Sequence, residues 1–144
     1  MYVVAGFCGH ELNDVHSFDT ATQQWRREAE GQFSARSVCP HAVITHPQTG
    51  QPHLVVFGGE LSPSARGHEG AGNFGNDVLA FPVQPDGRVG AAITVPYADD
   101  ARPPARGWTQ MAAASPSELV VFGGLAGTDE EPVRLADIYR LTFE

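Results

Sequence analysis

Val55-Val56-Phe57-Gly58-Gly59 and Val120-Val121-Phe122-Gly123-Gly124 are two copies of one phrase, and Val3-Val4-Ala5-Gly6 is a shorter third version. Each is an apolar run ending in glycine, as expected of a short buried strand that meets a turn where a side chain would obstruct the backbone. Gly6 and Gly58 lie 52 residues apart, and Gly58 and Gly123 lie 65 apart. Recurrence on that scale marks a chain of stacked supersecondary units, with insertions confined to the loops.

A polar loop and a second alternating segment follow each phrase: Asn13-Asp14-Val15-His16-Ser17-Phe18-Asp19, Asn76-Asp77-Val78-Leu79-Ala80-Phe81, and Ala136-Asp137-Ile138-Tyr139-Arg140-Leu141. Alternation of this kind predicts strands. In the first unit Asp19-Thr20-Ala21-Thr22 predicts a turn before Gln24-Trp25-Arg26-Arg27, a third strand whose Trp25 suits packing between neighbouring sheets. Ahead of the second and third phrases, residues 36–44 and 106–112 each begin with Arg and predict innermost strands. An Arg-led strand, a Gly-ended strand, an Asp-hydrophobic-aromatic strand and a Trp after a turn together resemble the kelch repeat.

The resemblance implies an all-β fold, a partial kelch β-propeller of about three antiparallel blades over residues 1–144. With strands a to d lettered from the axis outward, blade 1 (1–30) reads b-c-d, blade 2 (36–96) a-b-c-d and blade 3 (106–144) a-b-c. The fourth strand of blade 2 falls near Ala91 to Val95. Closed propellers need about four to eight blades, so three cannot close a ring. The expectation is a fragment, a half-disc that a homo-oligomer completes, or a marginally stable monomer with exposed end blades.

Composition agrees with one globular domain of short strands: 144 residues, 42% hydrophobic, 18% charged, with 16 Gly and 11 Pro. All nine basic residues are Arg, against 17 acids and a net charge of −8, which disfavours nucleic acid as a partner. The absence of Lys removes Schiff-base chemistry and the phosphate-loop lysine. No basic leader region opens the sequence, and no segment approaches the ~18 apolar residues of a membrane span, so a soluble cytoplasmic protein is expected. Cys8 and Cys39 have no CxxC spacing and read as reduced, partly buried thiols.

Antiparallel succession brings the b–c and d–a loops to one end of the blades. That end gathers Glu60, the loop through His68 and Glu69, Arg36, Arg106, Trp108, and the acids Asp129, Glu130 and Glu131. Carboxylate and imidazole suit a divalent metal, and a set with open positions suits Fe(II). The alternative is that Glu60 pairs with an arginine such as Arg106 while His68 is an ordinary loop residue. Each arginine fits either a structural bond to loop carbonyls and acids or an anion-binding fork. Trp108 is either a packing aromatic or the apolar wall of a pocket.

A narrower comparison rests on Arg36-Ser37-Val38, Phe57-Gly58-Gly59-Glu60, Gly67-His68-Glu69-Gly70-Ala71-Gly72, Arg106-Gly107-Trp108-Thr109 and Val121-Phe122-Gly123-Gly124. In that order, over most of residues 36–144, they resemble the C-terminal half of plant specifier proteins, the nitrile-, epithio- and thiocyanate-forming kelch proteins of glucosinolate breakdown. Residues 1–35 resemble kelch repeats more generally. The family's iron-binding pattern Glu-x3-Asp-x3-His is matched at its ends by Glu60 and His68. Ser64 stands at the Asp position, which leaves Glu69 as a candidate substitute ligand. The resemblance implies Fe(II) as cofactor, a small sulfated aglycone as substrate, Arg106 holding its sulfate, Trp108 facing its side chain, and a nitrile as product. Its counterpart is a kelch protein-protein interaction module that keeps the scaffold without the catalysis.

Overall fold

The computed structural model describes residues 1–97 and 102–144, which form ten strands and one 3-10 turn, Gly67–Glu69. The strands make three antiparallel sheets of three, four and three members. The first holds β1 (Tyr2–Phe7), β2 (Glu11–Asp19) and β3 (Gln24–Glu30) in chain order. The second holds β4 (His41–Thr45), β5 (Pro52–Ser62), β6 (Asn73–Pro82) and β7 (Ile93–Val95). The third holds β8 (Gln110–Ser115), β9 (Glu118–Gly127) and β10 (Pro132–Thr142). Sheets with strands b-c-d, a-b-c-d and a-b-c are consistent with a partial kelch propeller.

Two cores lie between the sheets. Val4, Val15 and Ala29 of the first sheet pack with Leu54, Val56, Leu79 and Phe81 of the second. Ile44, Val55, Phe57, Val78 and Ala80 of the second pack with Leu119 and Val121 of the third, with Tyr139 and Leu141 against them. Because β5 is covered on both faces, its alternation disappears and Leu54 through Glu60 are all buried. On β10 the alternation survives, since its outward residues, including Ile138, meet no further sheet.

Strand register corrects the sequence reading at the first phrase. Val4 pairs with Val15, Phe57 with Val78, and Phe122 with Ile138. The counterpart of Gly58 (φ 53°) and Gly123 (φ 59°) is therefore Ala5, at φ 53°, while Gly6 corresponds to Gly59 and Gly124. A residue with a Cβ thus occupies a left-handed position filled twice by glycine.

Two other expectations are corrected. The inner strands begin at His41 and Gln110 rather than at Arg36 and Arg106, because residues 36–40 and 106–109 cross from one sheet to the next. Trp25 is not held between sheets; it lies on the outer face of the first sheet, 55% exposed, against Phe18 at 4.9 Å.

Cys39 packs against the first core, and burial pushes its thiol up to about 11, whereas Cys8 is exposed. At pH 8 only about one Cys39 in a thousand is then thiolate. Iodoacetamide is expected to label Cys8 and leave Cys39 unmodified, as read by peptide mass spectrometry. Equal labelling would mean that the seam between the first two sheets opens in solution.

Candidate functional site

Each crossing segment is anchored by its arginine. Arg36 donates from its backbone N–H to the Leu12 carbonyl of the first sheet at 2.8 Å and accepts from Gly6 N–H at 3.0 Å. Its guanidinium reaches into the second sheet, donating to the Gly58 carbonyl at 2.7 Å and to both carboxylate oxygens of Asp77 at 2.9 Å, with Nε bonding the Ser34 carbonyl. Arg106 repeats the arrangement one unit later. Its backbone bonds Gly75 and Gly59 of the second sheet. Its side chain bonds the Gly123 carbonyl at 3.0 Å, Asp137 at 2.5 and 2.9 Å, and the Pro104 carbonyl. Both arginines are buried, at 1% and 0% exposure, with four of the five guanidinium N–H groups engaged.

These pairs answer the question of what each arginine holds. Glu60 is not bonded to Arg106; Asp137 takes that place and Asp77 takes it for Arg36. The missed partners carried a visible signal, since Asp recurs at 14, 77 and 137 in the same motif position.

Glu60 nevertheless stands beside Arg106, because Gly59 N–H donates to the Arg106 carbonyl at 2.9 Å. The register places Phe7, Glu60 and Leu125 at one repeat position, so the scaffold fills it with apolar residues in its other two units. Glu60 is 5% exposed. Its carboxylate accepts backbone N–H bonds from Ser64 and Gly72 and a 3.5 Å bond from Ser37 Oγ. Burial, reinforced by the neighbouring Glu11, raises its pKa, and the backbone bonds offset this only in part. A buried acid that the repeat does not require is a candidate functional group. Glu11 is the neighbour that sequence reasoning missed, and nothing in its spacing announced it.

The loop that follows is drawn to the third sheet. Ala65 N–H donates to Asp129 Oδ2 at 3.0 Å and Arg66 Nη1 to the Asp129 carbonyl at 2.8 Å. Loops of neighbouring sheets thus share one end, where Ser64 Oγ accepts from Arg66 N–H. His68 lies in the 3-10 turn and Glu69, at its end, is exposed. Among the described residues no group of three or more His, Cys, Asp or Glu is placed to hold a metal ion. Ser64 supplies no charged ligand, and the Glu60 carboxylate accepts its bonds from Ser64, Gly72 and Ser37 of the protein itself.

Trp108 differs from the arginines in being accessible. It is 43% exposed, edge-on to Phe74 at 6.2 Å, and has φ 49°. Val38, its counterpart two residues after Arg36, has φ 46°, and Trp108 N–H donates to the Val38 carbonyl at 3.0 Å. The backbone shape therefore belongs to the repeat, and the aromatic side chain is specific to this unit. Trp108 borders a cleft of about 370 Å3 between the crossing segments, with Cys39, His41, Gln110 and Met111.

Sheets joined by these crossing segments and ringed by loops at one end define a kelch-type partial β-propeller. The kelch motif family matches residues 1–32. Over 128 residues the chain is 28% identical to N-(sulfonatooxy)prop-2-enimidothioate sulfolyase from Thlaspi arvense, a span that covers 84% of this chain and 33% of that protein. The chain thus spans about a third of the length of the curated relative it matches.

Proposed function

We propose that this chain is a kelch-type interaction module, similar to specifier proteins, that engages a protein partner at the loop end through Trp108 and the cleft beside it. The observation that carries this reading is the contrast between the two residue types. Arg36 and Arg106 are spent on joining sheets, whereas Trp108 presents an amphipathic ring beside a cleft, the kind of group that anchors protein interfaces. No helix among the described residues is long and apolar enough to cross a membrane.

The sulfolyase relative and the repeat-breaking Glu60 favour a second reading, in which the loop end accepts a small sulfated aglycone with Fe(II). In that reading Arg106 cannot hold the sulfate without releasing Asp137. One pair of measurements separates the two. Anaerobic titration is expected to show no Fe(II) binding tighter than about 1 mM. Partner capture is expected to persist in chelator and to fall about tenfold or more in Trp108→Ala, as for an interface hot spot. Micromolar Fe(II) binding that disappears in Glu60→Gln would establish the second reading in place of the first.

A further inference from the structure

Trp108 stands where apolar and acidic surfaces meet. Its ring borders the cleft of about 370 Å3 between the two crossing segments, whose wall includes Val38, Pro40 and Met111. It also meets Phe74 edge-on, and Phe74 is the cross-strand neighbour of Glu60 on the second sheet. Phe74 is buried, so Trp108 is the accessible ring of this pair.

Acidic residues gather at the same end. Gly107 exchanges both backbone bonds with Leu125, at 3.0 and 2.8 Å, just before the turn that joins β9 to β10. Glu130 is five residues beyond Leu125, a reach of at most about 18 Å, so the exposed Glu130 and Glu131 lie within a short peptide's length of the cleft. Glu69 is exposed on the neighbouring loop, which Ala65 and Arg66 tie to Asp129. The arginines nearby are engaged or turned away. Arg36 and Arg106 are buried against Asp77 and Asp137, Arg66 bonds the Asp129 carbonyl, and Arg102 lies over the Tyr97 ring at 4.6 Å. Register makes Arg134 the counterpart of Phe74, which sets it on the face of the third sheet turned from the second. The unit that carries the Trp108 ring is also the one whose b–c turn holds three consecutive acids, whereas the corresponding turn of the first unit, Cys8-Gly9-His10, holds none.

We infer that the partner segment received at Trp108 is cationic: an apolar residue enters the cleft, while a neighbouring arginine or lysine stacks on the Trp108 ring and faces Glu69, Glu130 and Glu131. This rests on the reading of Trp108 as a partner anchor and adds the charge of what it binds. A cation over an indole face is attracted by the negative face of the ring. Carboxylates around the ring draw such a segment in and repel an acidic one, so they select the partner more than they tighten the complex.

The probes are three fluorescent heptapeptides, about 20–25 Å long when extended, that differ only in carrying two Arg, two Gln or two Glu around a central Leu-Leu pair. Each is titrated with the intact protein by anisotropy. The Arg peptide is expected to bind tightest and the Glu peptide weakest, with the preference shrinking as NaCl is raised. Trp108→Ala should weaken the Arg peptide about tenfold or more, as for an interface anchor. Glu130→Gln with Glu131→Gln, two exposed changes, should weaken it about threefold and leave the Gln peptide unaffected. Circular dichroism checks that the variants stay folded. Equal binding of all three peptides that still depends on Trp108 would overturn the cationic preference and leave Trp108 as an anchor. Binding of the Arg peptide indifferent to both Trp108 and the two glutamates, or no binding below about 1 mM, would likewise overturn it. The anchor reading itself falls only if partner capture survives Trp108→Ala.

Discussion

Arg106→Ala is expected to cost about 2–4 kcal/mol of folding stability, because it removes a fully buried side chain that bonds a carbonyl and a partly exposed carboxylate. The loss is large because one residue ties two sheets: its side chain bonds the Gly123 carbonyl and Asp137 of the third, and its backbone bonds the second. Deleting it leaves a buried carbonyl unpaired and unfastens the third sheet. Against a total stability of about 5–15 kcal/mol, that is a major fraction. Arg106→Lys should recover little, because an ammonium cannot fork between a carboxylate and a carbonyl in the same plane. Urea unfolding followed by far-UV circular dichroism measures the effect, and a loss below about 1 kcal/mol would mean that the network is dispensable.

The pH dependence has a definite sign. The hydrogen bond from Arg106 holds the Asp137 carboxyl below its ordinary value of 3.8. The stabilisation it gives is present above that value and is lost as pH falls through the depressed one. The deficit of Arg106→Ala should therefore narrow in strong acid.

Gly59→Ala is the second large effect, expected to destabilise by about 2–5 kcal/mol. Two independent costs meet there. The backbone is at φ 97°, and an added Cβ would lie 2.6 Å from Cys39 Cβ and 2.7 Å from the Ser37 carbonyl oxygen. The second contact is with backbone, so relief requires moving the crossing segment that Arg36 anchors. Thermal unfolding measures it, and an unchanged midpoint would show that the crossing segment yields easily. Gly6 has a similar backbone angle, φ 130°, but no atom within 4 Å of an added Cβ, so the same substitution there should cost less.

Fold and site were unequally legible. The repeated Val-Val-Phe-Gly-Gly phrase disclosed β5 and β9 because each packs valine into a core between sheets and their turn demands glycine. Even so, the first phrase was aligned one residue off, since Ala5 adopts a backbone shape that sequence patterns assign to glycine. Trp25 looked like an inter-sheet residue by its spacing, yet its exposure depends on which sheet lies beside it, a property of neighbours rather than of strand pattern. The site was legible as a place and not as a chemistry. Antiparallel topology brought Glu60, Arg106 and the acidic loop to one end, but the carboxylate partner of each buried arginine is fixed by contacts across 31 and 41 residues. The unusual standing of Glu60 emerged only when register set it level with Phe7 and Leu125.

The crossing segments also give the molecule a direction. Arg36 is synthesised after the first sheet and before the rest of the second, and Arg106 sits likewise between the second and third. Each latch therefore has its backbone half waiting on the finished unit and its side-chain half waiting on the unit still to emerge. A growing polypeptide could seal its seams one at a time, in order of translation, with each sealed seam presenting the template for the next.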